Sequence, residues 1–221
     1  MVFDTDAATV YQVRRRHRNQ EVRELVPAEY AGVMISDRGK SYDAAELAGV
    51  RKQKCLGHVL RSVAAVLETK TRGACVFAKR LKASLKQALA MWHERRAGPG
   101  PDFSARVRRL TGSITAHLRD RRLSDRDNQR LLNELGRCHD EGSLVRFLED
   151  PCIEPTNNRA ERALRPAVIA RKVSQCTKTG RGTRAFESWT SVVRTLSRPH
   201  SGPGLLDALI RLAHPTVAQP G

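Results

Sequence analysis

The chain has 221 residues, of which 40% are hydrophobic, enough to bury the core of one large domain or of a smaller domain with an insertion. Lys and Arg total 40 against 23 Asp and Glu, so the formal net charge is +17 at pH 7 and a polyanion such as nucleic acid is the expected partner. Aromatic residues make up only 5%, which argues against a general single-strand binding protein that stacks bases on aromatic side chains.

The first fifty residues have the pattern of an α/β fold. Residues 8–15, ATVYQVRR, alternate and are rich in β-branched and aromatic residues, which predicts a strand. Residues 19–27, NQEVRELVP, predict a short helix that ends before the proline. Residues Val50–Cys55 predict one more short strand.

Asp37 lies at the end of a further predicted strand. In AGVMISDRGKSYDA, residues 31–44, an apolar run from Val33 to Ile35 turns polar at Ser36 and Asp37, as a buried strand does where it enters a loop. Ligands in open α/β sheets bind outside the carboxyl ends of strands, which makes Asp37 a candidate ligand. Aspartate also commonly opens a turn, and local sequence alone favours that simpler role.

The middle of the chain is predicted to be an all-helical block. Between residues 58 and 150 the apolar residues fall at helical spacing, and residues 95–102, RRAGPGPD, interrupt the pattern with Gly and Pro. Ser124, with Asp127 three residues later, is a plausible helix cap. The apolar stripes are Phe77, Leu81, Leu85, Leu89 and Trp92; Val107, Leu110, Ile114 and Leu118; Leu131, Leu132 and Leu135; and Leu144, Phe147 and Leu148.

Residues 154–172, EPTNNRAERALRPAVIARK, predict a helix capped by Thr156 or Asn157. Its predicted apolar face includes Ala160, Leu164 and Val168. Glu161 falls in the first turns, where the helix dipole and Arg165 four residues later favour a carboxylate, and this stabilising role is sufficient to explain a glutamate there.

A basic glycine loop follows, SQCTKTGRGT at residues 174–183. It lacks the order of a P-loop, so we interpret it as a turn that can touch DNA phosphates. A periodic helix is then predicted through Phe186, Trp189, Val192, Val193 and Leu196.

Cysteine usage and hydropathy indicate the compartment. The five cysteines are odd in number, scattered and without a Cys-x-x-Cys pair, which argues against a disulfide framework or a four-cysteine zinc site. No apolar run reaches eighteen residues, and the N-terminus lacks a basic flank before an apolar core. We therefore expect a cytoplasmic protein without a membrane partner.

The order of these elements resembles the catalytic domain of the bacterial DDE transposases, whose ribonuclease-H-like fold carries a helical insertion between its second and third acidic residues. Residues 32–44, 52–61 and above all 154–175 resemble the C-terminal half of the transposase of insertion sequence family sixty-six, and the similarity covers nearly the whole chain. The resemblance implies an α/β fold class, with a partial ribonuclease-H-like catalytic domain interrupted by an all-helical insertion.

The resemblance also implies a domain organisation. Residues 1–58 would form the first part of the core without its first strand, and residues 59–150 the helical insertion. Residues 151–198 would complete the core with the helix that carries the catalytic glutamate, and residues 199–221 would form a tail.

The catalytic residues implied by the family pattern are Asp37 in SDR and Glu161 in NNRAER, which match its second aspartate and its glutamate. Both would be ligands of Mg²⁺ or Mn²⁺, since these cations prefer oxygen ligands. Two such cations about 3.5 to 4 Å apart can activate water or a DNA 3′-hydroxyl and stabilise the leaving oxygen.

DNA is the implied substrate, both as insertion-element ends and as target. Asn157 and Asn158 would cap the helix or contact DNA, and the sequence does not choose between these roles. Arginines near the carboxylates would hold the DNA backbone and offset the clustered negative charge. The candidate DNA-binding residues are Arg38, Asn157, Asn158, Arg159, Arg162, Arg165, Arg171, Lys172, Lys178 and Arg181.

Cys55 and His58 in CLGH resemble the Cys-x-x-His that follows the second aspartate in several transposases with such insertions. Two ligands alone do not make a zinc site. A packing or orienting role at a strand-to-helix junction is therefore the favoured interpretation.

The chain departs from the family pattern at its start. By the resemblance, residues 1–13 align with the second strand, so the first catalytic aspartate would precede Met1, as would the family's N-terminal DNA-binding and zinc-binding regions. Asp4 and Asp6 lie before or at the start of the wrong strand, so neither is expected to replace it. We expect an N-terminally truncated transposase, impaired or inactive alone. The alternative is an inactive DNA-binding remnant that modulates full-length transposase by occupying ends or forming oligomers.

Overall fold

A computed structural model of the chain describes residues 1–119, 122–174 and 179–213. The fold is α/β and mostly helical, and its described part contains two two-stranded sheets. The chain divides into two compact units. The terminal unit comprises Met1–His17 and the described residues from Asn158 onward, and the central unit comprises Arg18–Asn157.

The helices and strands follow one another along the chain with short 3₁₀ turns at Lys40–Tyr42, Ala45–Leu47, Arg72–Cys75 and Arg146–Leu148. In chain order they are β1 (Val2–Asp4), β2 (Thr9–Tyr11), α1 (Asn19–Arg23), β3 (Val33–Ser36), β4 (Arg51–Lys54), α2 (Leu56–Thr69), α3 (Val76–Ala97), α4 (Phe103–Leu118), α5 (Arg126–Asp140), α6 (Asn158–Ser174), α7 (Gly180–Leu196) and α8 (Pro203–Ala213).

Most elements predicted from the sequence are present. The strands β2, β3 and β4, the short helix α1 and the helices α3, α4 and α5 of the middle block lie where the sequence pattern places them. Residues 1–13, which the family resemblance aligns with a single strand, instead form two strands, β1 and β2, joined by a turn.

The central unit is built around its helices. Helices α2 to α5 pack together over one hydrophobic core, and β3 pairs in parallel with β4 from Val33 opposite Arg51 to Ser36 opposite Lys54. The core includes Leu56, Val59, Val63, Phe77, Leu81, Leu85, Trp92, Ile114, Leu135 and Phe147.

The second half of strand β4, Gln53 and Lys54, is buried although the strand sequence, RKQK, contains no apolar residue. The side chain of Gln53 donates from Nε2 to the carbonyl oxygens of Lys54 and Leu144, and its Oε1 accepts from the N–H of Phe147. Because a buried polar group is stable only when its hydrogen bonds are satisfied, these three bonds make the burial of Gln53 possible.

Lys54 is the second buried polar side chain of β4. It is 1% exposed, and its Nζ lies 2.6 Å from Oδ1 of Asp43. Arg137 approaches the other oxygen of Asp43 at the longer distance of 3.8 Å. A buried ammonium requires a partner of opposite charge, and Asp43 supplies it.

At residues 144–148 the structure differs from the predicted helix. Their apolar side chains are buried, as expected, but only Arg146–Leu148 forms a 3₁₀ turn and no α-helix is present there. The backbone of Leu144 and Phe147 bonds to Gln53 instead of to a helical neighbour, which explains the difference.

The predicted cap of α5 is also wrong. Asp125 caps the helix, because its Oδ1 accepts from the N–H of Asn128 at 2.9 Å. Asp127 instead pairs with Lys70 at 2.6 Å.

In the terminal unit, β1 and β2 form an antiparallel hairpin that packs against α6 and α7. Two N–H groups of β2 and that of Val13, two residues after the strand, donate to side chains of α7 spaced four residues apart. The pairs are Thr9 with Thr195 at 3.1 Å, Tyr11 with Ser191 at 2.9 Å and Val13 with Glu187.

The apolar face of α6 differs from the prediction. Ala163 is the buried residue, whereas Leu164 is 37% exposed. The hydroxyl of Tyr11 donates to the carbonyl oxygen of Ala163, so the hairpin fixes which side of the helix faces inward. Other large apolar side chains of this unit are exposed, among them Ile169, Val173, Trp189, Leu206, Ile210 and Leu212.

None of the helices in the described ranges is long and apolar enough to cross a membrane.

Candidate catalytic carboxylates and nucleic-acid contacts

Asp37 follows the last residue of β3 and begins a turn. Its Oδ1 accepts from the N–H of Gly39 at 2.8 Å, so the turn considered in the sequence is present. Burial, and then the charge of Asp37, raise the pKa of the nearby Tyr42 to about 12. One carboxylate oxygen is thus used by the turn, and no ion pair of Asp37 occurs in the described part of the chain.

Cys55 holds the strand-to-helix junction beside Asp37. Its N–H donates to the carbonyl oxygen of Ser36 at 2.7 Å, and its Sγ accepts from the N–H of Asn157 at 3.5 Å. The N–H of Leu56 donates to the carbonyl oxygen of Pro155 at 2.8 Å. The start of α2 therefore anchors the segment that precedes Asn158, which supports an orienting role for Cys55.

Glu161 belongs to the terminal unit, in the first turn of α6, where it is half-buried. The neighbouring Arg162 and Arg165 are exposed. Arg159, two residues before Glu161, pairs with Asp4 at 2.5 Å and with Asp6 at 2.6 Å.

Asp4 forms ion pairs with two arginines. Its side chain is 4% exposed, and its two oxygens accept from Arg159, Arg198 and the hydroxyl of Thr9. A carboxylate held by two guanidinium groups is already charge-compensated.

Asp4, Arg159 and Arg198 line an arginine-rich cavity of the terminal unit. Its volume is about 460 Å³, and the described residues that line it include four guanidinium groups and two carboxylates. The arginines are Arg159, Arg162, Arg194 and Arg198, and the carboxylates are Asp4 and Asp6. We name this feature the arginine cavity.

Arg194 and Arg198 were missed by the sequence analysis. Arg194 lies in the last turn of α7, and Arg198 follows the end of the helix four residues later. Side chains four residues apart lie on the same side of a helix. That spacing is the signal that could have identified them.

The remaining candidate DNA-binding residues lie at several places. Arg38 contacts the hydroxyl of Ser62 and lies 3.2 Å from Glu134, with a side chain that is 20% exposed. Asn157 is half-buried, and Asn158 is exposed at the first position of α6. Exposed cations at the ends of helices are Arg171 and Lys172 in α6 and Arg181 in α7, whereas Lys178 lies outside the described residues.

No complete set of ligands for a metal ion occurs in the described part of the chain. Over residues 1–119, 122–174 and 179–213, no group of three or more His, Cys, Asp or Glu side chains is arranged to hold a metal ion. Cys55 and His58 are thus not part of such a group there, and neither is Asp37 or Glu161.

Comparison with known proteins gives one match. The model of the family described as Transposase IS66 family matches residues 2–185. None of the curated proteins and none of the solved structures matches the chain.

Proposed function

We propose that this chain, which belongs to the IS66 family of transposases, binds the DNA of insertion-element ends and takes part in cutting and rejoining it. The observation that carries the proposal is the arginine cavity on α6, the helix that also bears Glu161. Guanidinium groups bind phosphate oxygens in pairs, so such a cavity suits a DNA backbone.

Asp37 and Glu161 are the proposed catalytic carboxylates. The order of elements supports a ribonuclease-H-like core: an antiparallel hairpin, a parallel strand pair with Asp37 at its end, a helical insertion and a helix with Glu161. Mg²⁺ or Mn²⁺ is the proposed cofactor, because carboxylate oxygens suit these cations. The two residues are a partial ligand set, since the described residues supply no group of three.

A second candidate function is a DNA-binding remnant without catalysis, which modulates full-length transposase. The arginine cavity favours it, because guanidinium groups can bind DNA phosphates without a metal ion. This candidate predicts salt-dependent DNA binding that is unchanged by chelation of divalent cations.

Replacing Arg162 and Arg194 together by Gln tests the DNA-binding proposal. Both side chains are exposed and line the arginine cavity. Each phosphate contact contributes about 0.9 to the slope of log K against log salt, so the slope should fall by about 1.8. Fluorescence anisotropy with a labelled insertion-element-end duplex measures it.

The charge-matched control for this pair is Arg15→Gln with Arg16→Gln, two exposed arginines in the same unit. If both pairs of replacements weaken DNA binding equally, the effect is due to net charge alone, and the arginine cavity is not a specific site. An unaltered chain that does not bind duplex DNA at low salt would overturn the proposed function.

Asp4→Asn should have the opposite effect on DNA binding. The change leaves four guanidinium groups and one carboxylate in the arginine cavity and releases Arg159 and Arg198 from a buried charge. We expect the salt slope to steepen by up to about 0.9. Stability should fall by about 1.5–3 kcal/mol, because hydrogen bonds to charged groups are lost.

The matched control is Asp207→Asn, an exposed aspartate on α8. Its salt slope of DNA binding, measured by anisotropy, and its stability, measured by thermal unfolding, should both be close to those of the unaltered chain. Weaker DNA binding by Asp4→Asn would show that the carboxylate organises the arginines for DNA rather than competing with it.

A further inference from the structure

Helix α5 of the central unit has one continuous polar face opposite its buried residues. Leu131, Leu132, Leu135 and Cys138 face the core. The opposite face carries Arg126, Gln129, Arg130, Asn133 and Arg137, at the spacing of three, four and seven residues that aligns side chains on a helix.

This face borders an open cavity of about 920 Å³. Arg38 and Lys40, from the loop that follows Asp37, line its other side. We call this feature the α5 groove. Within the described ranges, its lining holds five cationic side chains and one carboxylate, Glu134.

The cations of the α5 groove are weakly compensated within the protein. Arg38 lies 3.2 Å from Glu134, and Arg137 reaches carboxylates only at 3.8 and 3.9 Å. Arg126 and Arg130 form no ion pair in the described part of the chain, and both are exposed.

Helix stability does not explain the placement of these arginines. Arg126 is the first residue of α5, where the positive end of the helix dipole repels a cation. Arg130 follows four residues later, so two like charges face each other on the helix surface. Both positions work against the helix, whereas a bound anion would favour both.

We propose, resting on the DNA function proposed above, that the α5 groove is a second DNA site, which holds the backbone phosphates of duplex DNA beside Asp37. Arg126 and Arg137 are eleven residues apart, about 16 Å along a helix and roughly half a turn of duplex DNA. Gln129 donates to Oδ1 of Asn133 at 2.7 Å, which leaves the amide nitrogen of Asn133 to donate to a phosphate oxygen.

The composition of the α5 groove favours duplex over single-stranded DNA. Among the residues that the structure describes, no aromatic side chain lines it. Single strands are held by stacking of bases on aromatic rings, whereas a duplex is held through its phosphates. Because Arg38 follows Asp37 directly and Lys40 comes three residues after it, DNA in the groove would pass next to that carboxylate.

The test compares the full chain with its Arg126→Gln/Arg130→Gln variant in binding to a labelled duplex. We expect the slope of log K against log salt to fall by about 1.8, and affinity at about 0.1 M salt to fall by some tens of times, since one contact is worth about eightfold there. The control is Arg108→Gln/Arg109→Gln, two exposed arginines on α4, which should change neither value.

The outcomes separate this inference from the proposed function. If the groove variant has the same slope of log K against log salt as the control pair, the α5 groove is not a DNA site. If DNA affinity falls only in Arg162→Gln/Arg194→Gln, the inference fails but the proposed function stands. Equal losses in the groove variant and the α4 control would also overturn the inference. If the unaltered chain binds no duplex at low salt, both proposals fail.

Discussion

Replacing Glu161 by Gln or Asp37 by Asn is expected to lower metal-dependent nicking and strand joining on an insertion-element-end duplex by at least about a hundredfold. Residues that merely orient metal ligands typically change activity by about 10- to 100-fold, so a direct ligand should have at least the larger effect. Both replacements keep the shape of the side chain and remove its charge. In Asp37→Asn, the side-chain oxygen can still accept from the N–H of Gly39, so the turn after β3 is retained.

The measurement uses the labelled duplex with Mg²⁺ or Mn²⁺ and follows cleaved and joined products on a denaturing gel. Glu154→Gln is the control, because this glutamate is half-exposed and paired with Arg96 at 3.3 Å. Nicking that survives in either carboxylate variant would remove that residue from the proposed site. No nicking by any of the proteins, with salt-dependent DNA binding retained, would support the DNA-binding remnant instead.

Asp43→Ala should lower the free energy of unfolding of the central unit by about 3–5 kcal/mol. Removing one partner of a buried ion pair leaves the other as an uncompensated buried charge. Lys54 would become that charge, because it is 1% exposed and Asp43 is its partner at 2.6 Å. Adding Lys54→Met to Asp43→Ala should recover most of the loss, since an apolar side chain of similar length requires no partner.

Urea unfolding followed by circular dichroism measures these differences. Asp140→Ala is the control, because the pair of Asp140 with Arg119 is about half-exposed on both sides and should contribute less than about 1 kcal/mol. A loss for Asp43→Ala as small as that of the control would show that Lys54 reaches solvent or another partner.

The sequence predicts the elements whose side chains follow the period of their own backbone. The apolar run of β3 and the helical stripes of α3, α4 and α5 are of this kind. Strand β4 shows the limit, because Gln53 is buried through hydrogen bonds to Leu144 and Phe147, about ninety residues away. No local pattern contains that information.

The candidate functional residues also fall into two groups, those that the sequence predicts and those that only the fold identifies. Asp37 and Glu161 could be found from short motifs, since each motif is contiguous in the chain. The arginine cavity could not, because Asp4 meets Arg159 and Arg198 across separations of 155 and 194 residues. Only the fold brings those charges together.

The side chains that accept from β2 also determine how the hairpin can associate with other molecules. An edge strand with unsatisfied N–H groups is a template on which a strand of another chain can pair, and this is a common route to aggregation. Ser191 and Thr195 occupy those donors along β2, and Glu187 occupies the next one. A foreign strand would first have to displace α7, so intermolecular extension of this sheet has to start at β1.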